Sequence, residues 1–457
     1  MLDNRGRIRI DRVNQDGMQA RKYYRKLVTD SPFHKVLAVT MVMNILLAIL
    51  SLLSGTIAAR LLGPTGRGEL AAIQTFPMML ALLASLGVPD ALVYYSAREP
   101  VRAKSWLASA ICLAIIGSIP FALLGYFFLP YVLKAQSASV ISAAQVYLWW
   151  LPISAVFGFL IHPLRGRNDL LVWNLLRPIP NIVWIATLLA HGFSGTPDPI
   201  SLSRDFLLWY TIAGLATAIC IAIRLPGSFH PSLEQVSPLL RFGLPNMMGT
   251  LPSLINLRLD QLVLASLLSP KVLGLYVASV AWSGAVIPLV NAVAAVLLPR
   301  AAGAGAEKRS ELIAQSTRIG FILSIMLSLL SAALTPLVVP LLFGEAFSPA
   351  ILAAVILCLA GGFSAFNQVL TAAIQSTAKP HYIVIAESSG LIVTVILLWI
   401  LLPVLQLTGA ALTSLISYFV VAVIQMILIG KETRVAMLQL LLPSIAEISR
   451  LIARAKL

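Results

Sequence analysis

Two charged side chains, Arg258 and Asp260, lie inside one long apolar run of the chain. A charge in hydrocarbon is costly, so an ionisable residue there is a candidate functional group that faces a cavity or a partner. A guanidinium stays charged and binds phosphate oxygens through paired hydrogen bonds. A carboxylate could take up H⁺ or Na⁺ as a coupling ion. The pair indicates a substrate site at Arg258 and ion coupling at Asp260, or hydrogen bonds that fix the fold.

Polar residues on the same run are spaced by 4, 3, 3 and 4, which places them on one face of a helix. They are Asn246, Thr250, Ser253, Asn256 and Asp260. The first apolar run carries a thinner stripe, formed by Thr40, Asn44, Ser51 and Ser54. We interpret both stripes as walls of a wet central cavity, with Asn256 and Asn44 binding substrate. Hydrogen bonding between packed helices is the alternative.

Three further charges lie in or beside apolar runs. Arg177 follows Asp169 by eight residues, about 12 Å into the membrane, and Glu387 lies at similar depth in the second half of the chain. An ion pair between them could close one side of the protein, and independent snorkelling is the alternative. Arg60 lies beside a turn, where it could form a cationic rim for substrate or a plain interfacial pair with Glu69.

The chain that must position these residues is strongly apolar. It has 457 residues, of which 59% are hydrophobic and 11% charged, whereas soluble proteins carry about 25% charged residues. Twelve apolar runs have the length of about 20 residues that a membrane helix needs. They cover roughly 37–62, 68–96, 104–132, 139–163, 169–192, 203–224, 239–268, 271–299, 310–343, 348–375, 380–404 and 409–430. The sequence predicts an all-α, polytopic membrane protein with twelve transmembrane helices.

The basic residues are distributed unevenly between the two sides of such a protein. With twelve helices both termini lie on one side, and that side holds 26 of the 33 basic residues by our count. Cytoplasmic loops are enriched in Lys and Arg. The asymmetry predicts that both termini are cytoplasmic and that Arg177 and Glu387 would close the cytoplasmic side.

The turn after the first run recurs later in the chain. Residues 56–72 align with 262–278, and six of the fourteen positions from 59/265 to 72/278 are identical, including Pro64/Pro270 and Gly68/Gly274. Proline ends the incoming helix and glycine permits a tight re-entry. A repeat at a fixed offset is typical of a transporter built from two halves. The predicted parts are a basic cytoplasmic N-tail (1–36), an N-lobe (37–224) and a C-lobe (225–430) of six helices each, and an amphipathic cytoplasmic C-tail (431–457).

Several other chemistries find no support in the sequence. Cys112, Cys220 and Cys358 each lie inside an apolar run, far from one another, so neither a disulfide framework nor a metal site is indicated. No Asp-x-Asp motif, His-rich cluster or long loop is present to hold an enzyme site. The basic N-tail is typical of a segment resting on anionic lipid, and we predict no nucleic-acid partner.

Three segments carry a family resemblance, namely ARLLGPTGRGELAA (59–72), GVPDALVYYSA (87–97) and NLRLDQLVLASLLSPKVLGLYVASVAW (256–282). They resemble the O-antigen and polysaccharide flippase family of the multidrug, oligosaccharidyl-lipid and polysaccharide exporter superfamily. The resemblance extends over 37–430 in helix number and spacing. It implies two pseudosymmetric lobes around a central cavity, alternating access, and an undecaprenyl-diphosphate-linked oligosaccharide as substrate.

The resemblance gives roles to the candidate residues. Arg258, with Asn256, Asn44 and Arg60, would bind substrate, and no cofactor beyond H⁺ or Na⁺ is expected. Membrane lipids are expected partners, and a polysaccharide polymerase and glycosyltransferases could be others.

Five tryptophans fit an aromatic belt for the most part, and stacking on sugar would need one or two of them in the cavity. They are Trp149, Trp150, Trp173, Trp184 and Trp209.

Two other classes of function stay open at this point. A cation-coupled multidrug exporter has the same fold, but its cavity should be acidic, whereas the intramembrane charges here include two arginines, Arg177 and Arg258. A membrane glycosyltransferase or ligase usually needs a large outer loop or paired carboxylates. The sequence favours the flippase over both.

Overall fold

The computed structural model describes residues 33–195, 197–302, 305–377, 379–433 and 437–441. Most of the predicted N-tail (1–36) and C-tail (431–457) lies outside these ranges. The described residues are helical almost throughout and include no strand. This agrees with the predicted all-α fold class.

Sixteen helices, numbered in chain order, make up the described part of the chain. They are α1 (Phe33–Ala84), α2 (Val88–Arg98), α3 (Ala103–Val132), α4 (Ala138–Tyr147), α5 (Trp150–Phe159), α6 (His162–Gly166), α7 (Leu170–Leu176), α8 (Ile179–Ser194), α9 (Pro199–Arg224), α10 (Leu233–Leu267), α11 (Pro270–Ser283), α12 (Ile287–Ala302), α13 (Ala306–Phe343), α14 (Ile351–Ser376), α15 (His381–Thr433) and α16 (Met437–Leu441). Short 3₁₀ turns lie at Pro100–Arg102, Gly284–Val286 and Glu345–Ala350.

Nine segments among the described residues are long and apolar enough to cross a membrane, so the protein is a multi-pass membrane protein. Two of them, Val39–Ala84 and His381–Thr433, have 46 and 53 residues. Each is more than twice the length of about 20 residues that one crossing needs, and each is broken once, at Gly63 and Gln406. The proline-containing helix α10 has 35 residues and is not among the nine. The nine segments are fewer than the predicted twelve helices. Dividing each of the two long segments at its break and adding α10 makes up the difference of three.

The break in α1 is the predicted turn at 56–72. Gly63 has a φ of 65°, a left-handed conformation that glycine adopts without steric cost. Pro64 follows and cannot donate to the incoming helix. A second interruption, with φ of 51° at Leu86 and 68° at Gly87, separates α1 from α2. The second half of α1 therefore runs between two sharp bends, and Arg67 lies in its first turn.

The two ends of the helical bundle can be told apart by their contacts. At one end, which we call the basic end, Arg224 binds Asp169 with an Nε–Oδ2 distance of 2.6 Å, joining the end of α9 to the start of α7. At the opposite end, which we call the far end, lie the two repeated turns that contain Pro64 and Pro270. The repeat thus places two equivalent turns at one end of the molecule.

Helix α10 packs on both halves of the chain. Near its start, Gln235 accepts hydrogen bonds from Ser109 at 2.6 Å and from Ser105 at 3.2 Å, both on α3. Leu239 belongs to a buried apolar cluster, and the other buried members of this cluster all lie between residues 88 and 225 in the sequence. Further along, α10 packs against α15. The start of α10 therefore contacts the N-lobe directly, and the lobe boundary after residue 224 stays a prediction.

Candidate functional site, a central cavity with two arginines

Two adjoining chambers lie between the halves of the protein. The first has a volume of about 310 Å³, lies between α1 and α10, and is here named the methionine chamber. The second has a volume of about 390 Å³, lies between the first half of α1 and α11, and is here named the serine chamber. Four residues line both, namely Arg67, Arg258, Gln261 and Val277. The two arginines therefore mark the junction of the chambers.

The remaining lining residues differ in size and polarity between the chambers. The methionine chamber is completed by Ala71, Gln74, Thr75, Met78, Met79, Leu82, Leu254 and Leu257. The serine chamber is completed by Ala48, Ser51, Leu52, Ser54, Gly55, Trp184, Val280, Ala281, Gly284, Ala285 and Pro288. Long apolar side chains dominate the first lining, and small or hydroxyl-bearing residues dominate the second.

Arg67 is positioned by the turn at the far end. The neighbouring Gly68 has no room for a side chain, because a Cβ there would lie 1.7 Å from the carbonyl oxygen of Pro270. This contact fixes the second half of α1 against α11. The Nε atom of Arg67 is buried and has no hydrogen-bond partner within the described part of the chain. A buried donor of this kind, at the edge of a cavity, is available to an anionic ligand.

Arg258 belongs to the face of α10 that lines the chambers, which we call the cavity face. This face consists of Leu254, Leu257, Arg258 and Gln261, at helical spacing. Arg258 is exposed, and its Nη1 atom donates to Oε1 of Gln261 at 3.4 Å. One arginine thus comes from each half of the protein.

The charges at the chambers are of one sign. The residues that line the two chambers include Arg67 and Arg258 and no carboxylate. Like charges raise one another's energy, most strongly where water is scarce. A bound anion would relieve this repulsion, and a phosphate suits two guanidinium groups because each can offer it paired donors.

None of the five residues of the predicted polar stripe of α10 belongs to either chamber lining. Asn256 and Asp260 are buried, with 4% and 6% of their surface exposed. Asn256 accepts a hydrogen bond from Thr394 of α15 at 2.6 Å. Asp260 accepts from the Tyr276 hydroxyl of α11 at 2.5 Å and from the backbone N–H of Gln261 at 2.6 Å. Both residues therefore lie on a second face of α10, which we call the packing face, contrary to our expectation that Asn256 faces the cavity.

Two further predicted substrate residues lie away from the chamber linings. Asn44 is an exposed residue of α1 and is not part of either lining. Arg60 is exposed at the far end, where it donates to the carbonyl oxygens of Leu342, at 2.8 Å, and Leu341. It ties the end of the first crossing to the end of α13, and this contact does not involve Glu69.

Arg177 and Glu387 form no ion pair in this conformation. The guanidinium carbon of Arg177 lies 4.4 Å from the centre of the Trp173 ring, and its Nη1 atom donates to Asn174 at 3.3 Å. Glu387 lies half-buried on α15 and belongs to no ion pair of the described residues. The predicted gate between the two residues stays a prediction about another conformation.

The two halves also touch at the basic end. A Cβ on Gly87 would lie 2.1 Å from the carbonyl oxygen of Gly243, so no side chain fits between α10 and the start of α2. Beside this contact, Nδ2 of Asn246 donates to Oδ2 of Asp90 at 2.5 Å. The halves are therefore in backbone contact at both ends, with the arginines between the two contacts.

Arg67 was not among the predicted site residues. One feature of the sequence points to it. The repeat places Leu273 where the first half has Arg67, just as it places Leu52 where the second half has Arg258. Arg60 is also unmatched, since the repeat places Ser266 there, so Arg67 and Arg258 are the two unmatched arginines among these three that line the chambers.

Solved structures with the same fold are membrane transporters. The lipid II flippase MurJ in an inward closed conformation matches with a TM-score of 0.72 and 16% identity, over 87% of this chain and 89% of that chain. A multidrug resistance MATE family transporter in an inward-facing conformation matches with a TM-score of 0.66 and 16% identity, over 86% and 96%. A MOP superfamily transporter from Pyrococcus furiosus gives 0.58 and 17%, over 90% and 97%. The fold is therefore that of the MOP superfamily transporters.

A family model narrows this class. The model of polysaccharide biosynthesis proteins matches residues 34–304, more than half of the chain. The chain belongs to this family, and the predicted resemblance is confirmed. No curated protein matches the chain in sequence.

Proposed function

We propose that this protein is a flippase for an undecaprenyl-diphosphate-linked oligosaccharide, a repeat unit of O-antigen or exopolysaccharide. Arg67 and Arg258 carry the proposal, because they come from different halves and border the same two chambers. A diphosphate supplies enough negative charge to offset both guanidinium groups, and each could hold phosphate oxygens through paired hydrogen bonds. Membership in the polysaccharide biosynthesis family supports a sugar-bearing substrate. The fold shared with a lipid II flippase supports a lipid-linked one.

The charges at the chambers argue against a cationic drug as substrate. An amphiphilic cation would meet two like charges there and no carboxylate among the lining residues. Asp260, the nearest buried acid on α10, already accepts two hydrogen bonds on the packing face. A drug exporter of the same fold would be expected to expose an acid to the cavity instead.

Transport would proceed by alternating access across a bacterial plasma membrane. The excess of basic residues assigns the basic end and both termini to the cytoplasm. Separation of Gly87 from Gly243 would open the chambers to the cytoplasmic leaflet, and separation of Gly68 from Pro270 would open them to the outer leaflet. Substrate would enter in the first state and leave in the second.

Asp260 is our proposed ion-coupling residue, for H⁺ or Na⁺. Its Oδ1 atom accepts from the backbone of Gln261, and the Gln261 side chain accepts from Arg258. Protonation of Asp260 would weaken the first hydrogen bond and could therefore shift Gln261 and, through it, Arg258. Asp260→Asn keeps the size of the side chain and removes its charge. We expect this variant to fold and to lose the dependence of transport on a pH or Na⁺ gradient, and retained dependence would exclude the role.

A cytoplasmic gate between Arg177 and Glu387 remains our proposal for the outward-open state. Arg177→Glu and Glu387→Arg should each lower transport, and the double variant should recover part of it, because the Coulombic attraction is restored. A cysteine pair at these positions should crosslink only when the far end is open. A double variant no better than the worse single one, without a crosslink, would favour two independent snorkelling residues.

The proposed function is tested by complementation of a flippase-null strain, scored by surface polysaccharide, and by transport in proteoliposomes. We expect reconstituted protein to move a fluorescent undecaprenyl-diphosphate-linked sugar between leaflets and to leave ethidium transport at the level of empty vesicles. Ethidium transport without lipid flipping would instead establish the drug exporter. Polysaccharide polymerase and glycosyltransferases are proposed partners, because they would consume and supply this substrate.

A further inference from the structure

We propose that the two chambers hold different parts of the substrate, with the isoprenoid chain next to the diphosphate in the methionine chamber and the first sugars in the serine chamber. This inference rests on the proposed function and adds the orientation of the bound lipid. The arginines at the junction fix the position of the charged group, and the two linings decide what extends to either side.

The methionine chamber offers an apolar surface to a ligand. Met78, Met79, Leu82, Leu254 and Leu257 line it, and methionine adapts well to an irregular apolar partner because its side chain is unbranched and flexible. Two of these side chains, Leu82 and Leu257, are 37% and 51% exposed. These two exposed leucines give the chamber apolar surface that an isoprenoid chain can contact next to the arginine junction.

Apart from the shared junction residues, two polar groups of this chamber already have hydrogen-bond partners. The Thr75 hydroxyl donates to the carbonyl oxygen of Ala71 at 2.7 Å, and Nε2 of Gln74 donates to the Tyr147 hydroxyl at 3.4 Å. Neither of these two groups can donate the same hydrogen bond to a sugar hydroxyl in place of the water that the hydroxyl would lose. A sugar bound in this chamber would lose hydrogen bonds to water without replacing all of them, so its binding here is unfavourable.

The serine chamber is suited to a sugar. Ser51 is exposed, and its hydroxyl makes no hydrogen bond within the described part of the chain. Trp184 presents an aromatic ring, which combines an apolar face with an N–H donor. Small residues such as Gly55 and Gly284 leave room between these groups, in the larger of the two chambers. A sugar ring can therefore find a stacking surface, a free hydroxyl and space.

The test measures protection of single cysteines in the reconstituted full-length protein. Cys112 and Cys220, which are exposed, are first replaced by serine, and the buried Cys358 is kept. Met79→Cys reports on the methionine chamber and Ser51→Cys on the serine chamber. The rate of modification by a small methanethiosulfonate reagent is measured with no lipid, with undecaprenyl diphosphate, and with the oligosaccharide-linked lipid.

We expect undecaprenyl diphosphate to slow modification of Met79→Cys at least tenfold and to leave Ser51→Cys unchanged, whereas the oligosaccharide-linked lipid slows both. Protection of Ser51→Cys by the sugar-free lipid, or equal protection of both cysteines, would overturn the orientation. Should either variant fold poorly, a photoreactive diazirine on the isoprenoid chain gives a second measurement. Crosslinks at 71–82 or 254–257 would support the proposal, and crosslinks at 48–55 would contradict it.

Failure of the orientation can be told apart from failure of the proposed function. If the sugar-bearing lipid protects Ser51→Cys and Arg258→Ala abolishes this protection, the arginine site stands whatever Met79→Cys shows. If no lipid protects either cysteine and Arg258→Ala transports normally, the proposed function itself is wrong, and the orientation with it.

Discussion

The two polar faces of helix α10 differ in what surrounds them. On the cavity face, Arg258 is exposed, and its only hydrogen bond among the described residues is a long one to Gln261. On the packing face, Asn256 and Asp260 are buried and bound by Thr394 and Tyr276 at 2.6 and 2.5 Å. The cavity face therefore has unused hydrogen-bonding capacity at an exposed cation. On the packing face the acceptors of Asn256 and Asp260 are engaged, although Nδ2 of Asn256 is buried without a partner among the described residues.

This difference separates ligand binding from packing on a single helix. Spacing alone put Asn256 and Asp260 on one stripe and suggested that the stripe lines the cavity. In the structure, the side of α10 that lines the chambers is not the side that carries this stripe. Polar residues inside a membrane are thus candidates for substrate contacts when they face the cavity and have free donors or acceptors. Replacing Arg258 on the cavity face should change substrate transport, whereas replacing Asn256 on the packing face should change stability. Asp260 is the packing-face residue for which we propose ion coupling instead.

The largest effect is expected for the arginines. Arg67→Ala and Arg258→Ala each remove one of the two cations that meet the diphosphate. Losing one member of such a charged contact costs about 2 kcal/mol or more, or roughly thirtyfold in transport at low substrate concentration. Transport per molecule of protein in proteoliposomes measures the loss. Arg258→Lys should retain part of the activity, since it keeps the charge and loses the paired donors. Normal transport by either alanine variant would remove that arginine from the site.

A large loss is also expected at the basic end. Gly87→Val places a side chain where a Cβ already lies 2.1 Å from a backbone oxygen, so the halves cannot close there. The variant should bind substrate and fail to turn over, with transport reduced by more than about tenfold. Gly195→Val is the matched control, because Gly195 also has a positive φ, of 78°, and a Cβ there meets nothing within 4 Å, so the variant shares the backbone strain and lacks the clash. Full transport by the valine variant would show that this contact need not form.

A moderate effect on stability is expected on the packing face. Asn256→Ala removes the acceptor that lies 2.6 Å from the Thr394 hydroxyl and leaves this hydroxyl Ser417 Oγ, at 2.8 Å, as its remaining partner. The expected cost is therefore that of one net hydrogen bond, about 1 kcal/mol. Thermal unfolding in detergent should occur at lower temperature, while transport per folded molecule changes less than twofold. A transport defect without loss of stability would support the predicted role of Asn256 in substrate binding.

The smallest effect is expected for Arg60→Ala. This side chain is exposed and binds backbone oxygens at the far end, outside both chamber linings. We expect transport to stay within twofold of the wild type. Since Arg60→Ala removes the same charge as Arg67→Ala only seven residues away, it also controls for general electrostatic effects. A loss comparable to that of Arg67→Ala would restore the predicted cationic rim.

The sequence predicted the all-α membrane fold and one of the two arginines of the candidate site. Apolar length and the basic asymmetry depend on composition along the chain, and the repeat depends on turn chemistry at Gly63 and Pro64, so all three can be identified in a single sequence. Arg258 was identified because it interrupts an apolar run. Arg67 was missed because it lies just after a turn, where an arginine normally faces solvent. Only the contact of Gly68 with Pro270 shows that this turn is folded against the other half.

The central claim is that Arg67 and Arg258 together recognise a diphosphate. The most direct measurement compares the affinity of purified protein for undecaprenyl diphosphate and for undecaprenol, which has the same chain and no charge. We predict that the wild type binds the diphosphate at least tenfold more tightly, and that an Arg67→Gln/Arg258→Gln double variant binds the two lipids alike. Equal affinity of the wild type for both lipids, or an unchanged preference in the double variant, would contradict the claim.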